Sequence, residues 1–578
     1  MQKHIKHILS VVTLLSVSVV CAQDRTTEND TLDTQVVNIV KAYTPTISDA
    51  FKIKETPTLN DQNTGVKKAV KYNIFSIPVA STFTPAKGKA ATVDKAKAIK
   101  IYDNYASLGF GSYTSILGEV YLNHELSRSE TIGGHLSHHS SQGGIKDLLL
   151  DDDFSKTNLN VNYRKQLRDL SWKVDGGFEL NSFNWYGLPQ PYYEASTVAD
   201  SDVKHAFYSG YVGGKVDFDD AILNNASLKF RHFGDDSSSG ENRFVVGTEF
   251  DIPIQGQAVS TRVGIDYLGG SFDKGFYVDE TINYGNISAS IAPSYQLIQD
   301  ELTVNLGVEL VYFNDTEAGD SKFYVYPNIN ASYRLVDELL IAYGAIEGGL
   351  NQNSYYSLSS VNPFVSPTLF ITPTDQQYNA SLGIKGKLSN SMSYNVSGHY
   401  VSENNKHLFS ANSIAMSPTE AYQYGNSYGV VYDKVSTISF AGEFQVDINR
   451  NFTLGLKGEY FSYSTDVAEE AWNLPDLKAS VLADYQIDEN WFAGGSIFYV
   501  GSRKDQFKID GGITPIEPTT VTLDAYFDAN AHVGYKVNDR LSVYAKANNI
   551  ASQNYQRWLN YPVQGIQFLA GATYQFDF

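Results

Sequence analysis

The last forty residues of the chain read DRLSVYAKANNI (539–550), ASQNYQRWLNYPVQG (551–565) and IQFLAGATYQFDF (566–578). Side chains alternate between the two faces of a β-strand, so the final run has one apolar face and one mainly polar face. The apolar face comprises Ile566, Phe568, Ala570, Ala572, Tyr574, Phe576 and Phe578. An exposed sheet edge this apolar would aggregate in water, whereas lipid around a closed barrel accepts it. We therefore predict the closing strand of a transmembrane β-barrel, with Tyr574, Phe576 and Phe578 as its membrane-insertion signal.

The same two-residue period recurs upstream, from about residue 101 onward. The runs are about 10–16 residues long, which suits the ~9–11 residues that a tilted membrane strand needs. In one of them Leu302, Val304, Leu306, Val308, Leu310 and Tyr312 share a face, opposite Thr303, Asn305, Gly307 and Glu309. Such long alternating runs, repeated along the chain, favour a membrane barrel over a soluble sandwich.

Short polar turns and longer loops alternate between these runs. The turns lie at 127–130, 167–169, 336–338, 449–451, 488–490 and 538–539. The loops lie near 141–155, 184–203, 234–241, 270–280, 314–321, 350–376, 405–432, 465–475, 503–520 and 551–564, after a tight hairpin near 111–114. This segmentation predicts an all-β fold, a transmembrane antiparallel barrel of about 22 strands over residues 101–578, with short periplasmic turns and long outer loops. The loop at 405–432 is the weakest part of this segmentation, because SYGVVYDKV (427–435) can itself be interpreted as a strand.

Composition limits the possible functions. The chain has 40 Tyr and 31 Phe but one Cys, and its formal net charge is −20. Tyrosine suits the membrane interface because its ring is apolar and its hydroxyl polar. An acidic chain is a poor partner for nucleic acid, which needs a basic surface. The histidines at 124, 135, 138 and 139 and the aspartates at 147 and 151–153 lack the spacing of a metal site, and no hydrolase motif stands out. We therefore expect no enzyme activity, no cofactor and no resident metal.

Two segments precede the barrel region. The apolar run from Ile8 to Ala22 follows several basic residues and is shorter than the ~20 residues of a spanning helix. Residues 1–22 are therefore predicted to be a secretory signal peptide. Residues 23–100 contain four prolines and a Lys-rich stretch but no sustained period. We therefore predict that these residues form a short, irregular N-terminal extension that is periplasmic or lumenal.

Two stretches of the barrel region resemble TonB-dependent receptors. The first is ANNI (547–550) with NYQRWLNYPVQGIQFLAGATYQF (554–576), which is similar to the closing pattern of that family. The second is VNPFVSPTLFITPTDQQYNASLGIKGKLSNSMSYNVSGHY (361–400), which resembles its Asn-Pro-x-x-x-Pro loop and the hairpin that follows. The resemblance implies an outer-membrane barrel that receives or transports a solute.

The N-terminal region departs from the pattern of that family. TonB-dependent receptors carry an α/β plug inside the barrel, and residues 23–100 show no plug pattern. VKAYTPTISDAFKIKETP (40–57) and FSIPVASTFTPAKGKA (75–90) look instead like a plug-lacking subgroup from Bacteroidota. Residues 34–40 form an extended apolar run, which is either a degenerate TonB box that adds to the edge of a partner's sheet or an ordinary short strand. Without a plug, energy-coupled gating does not carry over from the family.

Aromatic residues gather in three of the long loops. The candidate ligand contacts are Trp185, Tyr186, Tyr192, Tyr193, Tyr355, Tyr356, Tyr555 and Trp558. Exposed rings stack on sugars, peptides or apolar partners, whereas packing within the loops and an aromatic girdle are the more ordinary reasons for them.

A wall of this size encloses a lumen that must hold water, loops, the N-terminal segment or another protein. We predict a receptor or transport barrel in the outer membrane that passes or captures a solute. The alternative is a structural or assembly hub for lipoproteins or secretion machinery, with no solute flux. The expected partners are outer-membrane lipid, the barrel-assembly machinery, and either TonB or surface lipoproteins.

Overall fold

The computed structural model describes residues 100–190, 192–193, 202–219, 221–512 and 516–578. The expected signal peptide, and all of the expected N-terminal extension except residue 100, lie outside these residues. In chain order the strands are β1 (Asn104–Gly111), β2 (Ser115–Ser127), β3 (Glu130–Ser141), β4 (Phe154–Gln166), β5 (Leu170–Asn184), β6 (Lys204–Phe218), β7 (Leu223–Asp235), β8 (Gly240–Ile254), β9 (Gln257–Phe272), β10 (Ile282–Gln299), β11 (Leu302–Asp315), β12 (Ser321–Val336), β13 (Leu340–Asn351), β14 (Thr374–Ser389), β15 (Met392–Ala411), β16 (Tyr428–Asn449), β17 (Phe452–Thr465), β18 (Leu477–Gln486), β19 (Trp491–Val500), β20 (Arg503–Phe507), β21 (Thr519–Leu523), β22 (Tyr526–Lys536), β23 (Leu541–Asn548), β24 (Gln556–Trp558), β25 (Tyr561–Pro562) and β26 (Gln567–Phe576). A 3-10 turn (Ser112–Thr114) joins β1 to β2, and one α-helix, α1 (Tyr355–Val361), lies between β13 and β14.

Twenty-two of these strands form one closed antiparallel sheet, which confirms the predicted barrel and its strand number. The sheet contains β1–β19, β22, β23 and β26, and each strand pairs with its neighbours along the chain. The barrel closes where β1 pairs with β26, from Asn104 opposite Phe576 to Gly111 opposite Leu569. The two remaining hairpins, β20–β21 and β24–β25, stand outside the wall. In the part of the chain that the structure describes, no helix is both long and apolar enough to cross a membrane.

The two faces of the wall follow the alternation in the sequence. On β26, Phe568 and Tyr574 point outward and are exposed, and Phe578 just beyond the strand is 76% exposed. Thr573 points inward, where its hydroxyl donates a hydrogen bond of 3.0 Å to the hydroxyl of Ser107 on β1. The apolar face of the final run is therefore the lipid face of the barrel, as predicted.

The connections at the two ends of the barrel differ in length. Turns of two to four residues join strands at one end, and the first hairpin and the longer loops lie at the other, as predicted. The predicted loop at 405–432 is too long at both ends, because β15 continues to Ala411 and β16 begins at Tyr428. The alternative interpretation of 427–435 as a strand is therefore correct. The register shifts between Glu403 and Lys406, and Asn405 has a φ of 51°. This bulge interrupts the alternation of apolar and polar side chains, so the two-residue period of the sequence breaks at this point.

A charge on the lipid face should destabilise the barrel much more than a charge in the lumen. Leu382 on β14 faces outward and is 72% exposed, whereas its neighbour Ser381 faces inward. We expect Leu382→Arg to lower the free energy of unfolding in lipid vesicles by about 2–4 kcal/mol, the cost of Arg near the bilayer midplane. Ser381→Arg, the matched control, should change it little. Equal losses in urea titrations of both variants would contradict the assignment of the two faces.

Candidate functional site

The long loops meet over the mouth of the barrel and share one buried apolar core, here called the cap. Its buried residues are Phe207, Phe233, Leu268, Phe272 and Tyr284 from the inner wall, Tyr355, Leu358, Val365, Leu369 and Ile371 from the β13–β14 loop, Phe409, Ala411 and Tyr428 from β15 and β16, Leu523 from β21, and Trp558, Leu559 and Tyr561 from the β23–β26 loop. These residues come from strands and loops on widely separated parts of the wall. The cap therefore spans the mouth, and hydrophobic burial stabilises it as in a domain core.

Helix α1 is the best-defined element of the β13–β14 loop. Ser354 is its N-cap, and its side chain accepts a hydrogen bond of 3.0 Å from the backbone N–H of Ser357. The hydroxyl of Ser357 accepts a hydrogen bond of 3.0 Å from the backbone N–H of Ser354. This reciprocal arrangement is a capping box, and it starts the helix at the point where the loop turns toward the wall.

Two carboxylates of the inner wall hold the first turn of α1. Glu241 on β8 accepts hydrogen bonds from the backbone N–H groups of Tyr355 (2.6 Å) and Tyr356 (3.3 Å) and from the hydroxyl of Tyr284 (2.9 Å). Asp235 accepts a hydrogen bond of 2.7 Å from the hydroxyl of Tyr355. Burial raises the pKa of the Tyr355 phenol well above its usual value, so Tyr355 stays a proton donor. Tyr355 thus holds the loop to the wall through both its backbone N–H and its hydroxyl.

The second tyrosine of α1 makes a separate contact with the wall. The guanidinium of Arg231 lies 3.7 Å from the centroid of the Tyr356 ring, which is a cation–π contact. The hydroxyl of Tyr356 donates a hydrogen bond of 3.3 Å to Glu179 on β5. The β13–β14 loop is therefore attached to three strands of the wall, β5, β7 and β8.

Hydrogen bonds also join the loops to one another. The hydroxyl of Tyr186 donates to the carbonyl oxygen of Pro562 at 3.0 Å. Asn426 connects three loops, because its side-chain amide donates to the carbonyl oxygen of Trp185 at 2.7 Å and its own carbonyl oxygen accepts from the hydroxyl of Tyr561. The cap is therefore one connected structure rather than a set of separate loop tips.

The β20–β21 hairpin is attached to the cap through buried charged groups. Asp505 accepts hydrogen bonds from the hydroxyl of Tyr428 at 2.8 Å and from the backbone N–H of Ala411 at 3.1 Å. Arg503 donates to the carbonyl oxygen of Arg557 at 2.6 Å. Burial raises the pKa of Asp505 and lowers the pKa of Arg503. These contacts connect the β19–β22 loop to β16 and to the β23–β26 loop.

The structure places four of the eight candidate ligand contacts in the cap core or packed against it, and Trp185 in a separate buried cluster with Tyr422. Trp185, Tyr355, Tyr555 and Trp558 are buried, Tyr186 and Tyr356 are partly buried against the cap core, Tyr193 is partly buried, and Tyr192 is 55% exposed. In this conformation the buried rings have no free face for a solute. Tyr192 is the exposed member of the set, whereas the hydroxyl of Tyr193 beside it is buried.

Tyr192 and Tyr193 contact residues that the sequence reading missed. The ring centroid of Tyr192 lies 5.2 Å from that of Phe507, and the centroid of Tyr193 lies 5.7 Å from that of Tyr424. Ile414 forms β-bridges with both Tyr424 and Ile509, which places the two ring pairs on neighbouring loops. We call Tyr192, Tyr193, Tyr424 and Phe507 the outer aromatic patch. Phe507 alternates with polar neighbours along β20, but nothing in the local pattern pairs it with Tyr192.

The inner wall beneath the cap is polar. Asn158, Asn160 and Asn162 alternate along β4 on its inward face. Ion pairs such as Arg243 with Asp266 (2.6 Å) and Lys457 with Glu459 (3.3 Å) also lie on inward positions. A surface of amides and paired charges is well solvated, so the lumen suits water and polar solutes.

The four histidines singled out in the sequence do not come together. His138 bonds to Thr157 at 2.8 Å on the outward face, whereas His135 lies 2.9 Å from the carboxylate of Glu119 on the inward face. Across the described ranges, no group of three or more His, Cys, Asp or Glu side chains is arranged to hold a metal ion.

The closed wall, its apolar outer face and its long loops at one end define an outer-membrane β-barrel. Residues 96–550 match the family model described as "TonB dependent receptor-like, beta-barrel". The chain belongs to this family and is located in the outer membrane.

Several solved structures share the fold. The ferripyoverdine receptor of the outer membrane of Pseudomonas aeruginosa bound to ferripyoverdine is 14% identical, covers 83% of this chain and 73% of its own, and has a TM-score of 0.59. A mutant of the ferric enterobactin receptor PfeA from Pseudomonas aeruginosa is 11% identical, with coverages of 82% and 80% and a TM-score of 0.60. The siderophore receptor PirA from Acinetobacter baumannii is 14% identical, with coverages of 83% and 81% and a TM-score of 0.59. No curated protein sequence matches the chain.

Proposed function

We propose that this protein is an outer-membrane receptor that captures a solute from the medium and passes it through the barrel. The observation that carries the proposal is the cap, a connected apolar structure that joins loops and separate parts of the wall above a polar lumen. The outer aromatic patch is the capture surface, because it contains the exposed ring of Tyr192 with three partly buried rings beside it. Passage then requires the cap to open. The similar structures named above are siderophore receptors, and a solute of that general kind is consistent with this arrangement.

The absence of a plug, the origin of the chain and its partners are also part of this proposal. We propose that the chain is a plug-lacking member of the family from Bacteroidota, as the likeness of residues 40–57 and 75–90 suggests. TonB remains a proposed partner. Residues 34–40, which read either as a degenerate TonB box or as an ordinary short strand, lie outside the described residues. We also keep outer-membrane lipid and the barrel-assembly machinery as partners, the latter through the terminal aromatic residues.

Conductance across a planar lipid bilayer tests whether the cap closes the channel. We expect the full chain to conduct little, and a variant with residues 354–371 replaced by a short Gly-Ser linker to show stable open-channel currents, because the linker removes five of the seventeen buried residues of the cap core. The matched control shortens the β11–β12 loop (316–320), which contributes no residue to the cap core, and it should stay closed.

The alternative, a hub without solute flux, draws support from the same cap, because a sealed barrel is a suitable platform for partners. If the linker variant stays as closed as the full chain, transport through this lumen is contradicted. Stoichiometric co-purification of lipoproteins with that closed barrel would then identify the hub.

A further inference from the structure

A polar groove lies on the lipid side of the wall, at the long-loop end of β8, β9 and β10. Its volume is about 350 Å³, and its polar lining comes from Asn242, Ser271, Asn283, Thr316 and Glu317. Of the full lining, Tyr284 belongs to the cap core, whereas these five polar residues belong neither to the cap core nor to the outer aromatic patch. The proposed function therefore leaves the groove unexplained.

Strand pairing fixes the level of the groove relative to the bilayer. Three rows of directly paired residues cross the outward face here: Phe244–Tyr267–Ile287, then Asn242–Gly269–Gly285, then Gly240–Ser271–Asn283. The first row is apolar and exposed, as a lipid-facing row should be. The next two rows contain only Gly, Ser and Asn, and each lies about 6.6–6.8 Å further from the bilayer centre along an untilted strand. The hydrocarbon boundary therefore falls at the first row, and the groove lies at headgroup level.

The depth of the groove has two sources. Glycines at three of the six positions in the upper rows leave space where side chains would otherwise stand. The β11–β12 loop forms one side, because the backbone N–H of Thr316 donates to the carbonyl oxygen of Gly285 at 3.0 Å. Asn242 is oriented by its side-chain oxygen, which accepts a hydrogen bond of 3.0 Å from Nδ1 of His232. Amide, hydroxyl and carboxylate groups thus face one space that opens toward the lipid.

The chemistry of the lining selects the headgroup. The described residues around the groove include no Lys or Arg to bind a phosphate, and the Glu317 carboxylate would repel one. Asparagine, serine and threonine side chains instead donate to and accept from the hydroxyls of a sugar. Tyr267 lies directly below, where its ring can contact the start of an acyl chain.

We propose that this groove binds the sugar headgroup of an outer-leaflet glycolipid, whose acyl chains lie along the apolar row below it. The lipid would then be a specific ligand of one sector of the wall. The proposal is independent of any solute flux through the lumen.

Filling the groove tests the proposal with the full chain in detergent. A Cβ on Gly240 would meet no atom within 4 Å, so Gly240→Phe has room and should fold. Asn283→Leu removes an amide without adding bulk. Gly442→Phe on β16 is the matched control, because Gly442 also faces lipid and its Cβ would also meet nothing within 4 Å. Heat-modifiable mobility on gels would verify that all variants are folded.

The measurement is the amount of glycolipid sugar that stays with each barrel after prolonged detergent washing. We expect retention by the unmodified chain and by Gly442→Phe, and losses of about tenfold in Gly240→Phe and Asn283→Leu, the change expected when roughly one good hydrogen bond is lost. Adding purified lipids back to the washed barrels, one kind at a time, distinguishes between the possible ligands. Lipopolysaccharide from which the lipid A phosphates have been removed should rebind to the unmodified chain but not to Gly240→Phe. Equal retention by all variants, no retention by the unmodified chain, or preferential rebinding of phosphatidylglycerol would each overturn the proposal.

Discussion

Glu241→Ala is expected to release the β13–β14 loop from the barrel wall. The carboxylate is buried and accepts three hydrogen bonds, two of them from the backbone at the start of α1. Its removal leaves those two N–H groups and the hydroxyl of Tyr284 without this acceptor in a buried site. Unsatisfied buried donors of this kind cost roughly 3–5 kcal/mol together. Hydrogen exchange in residues 352–373 should therefore become faster by about two to three powers of ten.

The control for this prediction lies on the same strand. Glu249 also faces inward, but it accepts hydrogen bonds from Asn225 (2.8 Å) and Ser260 (3.1 Å), which do not belong to the cap. Glu249→Ala should leave the exchange of residues 352–373 unchanged. If the two variants behave alike, the carboxylate of Glu241 does not hold the loop, and the apolar contacts alone keep the cap closed.

The wall of the barrel could be predicted from the sequence because its determinants are local. Each strand has one face against lipid and one against the lumen, so the residue two positions along meets the same surroundings. Leu306 and Tyr312 are exposed to lipid as predicted from a period of two, and Glu309 is buried on the other face. Six of the ten short turns were readable as polar segments between such runs, whereas those at 219–222, 255–256, 300–301 and 390–391 were not identified.

The extent of the outer strands was harder to predict. β15 and β16 continue beyond the bulge at Asn405, and the pairs from Lys406 with Asp433 to Ala411 with Tyr428 stand at the long-loop end. There the strands face other loops rather than lipid, so the simple alternation no longer applies. The extra residue in the bulge also offsets the apolar and polar positions by one residue along the rest of the strand. Both effects depend on tertiary contacts.

The cap could not be predicted, because its contacts join distant parts of the chain. The bond between Tyr186 and Pro562 spans 376 residues, and the one between Tyr355 and Asp235 spans 120. The sequence located aromatic rings in the loops but gave no information about which rings would be buried. One local signal was present: Ser354 and Ser357 have the spacing of a helix capping pair, and they do start α1.

The seam between the first and last strands should be the most sensitive part of the wall. Tyr544 on β23 reaches across β26, and its hydroxyl lies 3.3 Å from the hydroxyl of Ser107 on β1. The space it crosses exists because Gly571 and Gly109, paired across the seam, have no side chains. A Cβ on Gly571 would collide with the carbonyl oxygen of Leu108 and with the hydroxyl of Tyr544.

Gly571→Val is therefore expected to prevent closure of the barrel. The collision involves backbone on one side, which cannot move without separating β1 from β26, so the loss of folding free energy should reach about 3 kcal/mol or more. Heat-modifiable mobility after refolding into lipid vesicles measures the closed fraction, which should fall to a small minority. The control is Gly118→Val on β2, where the nearest atom to a Cβ is 3.8 Å away and the side chain faces lipid. A closed fraction for Gly571→Val as high as that for Gly118→Val would show that the seam tolerates bulk and that closure does not depend on these glycines.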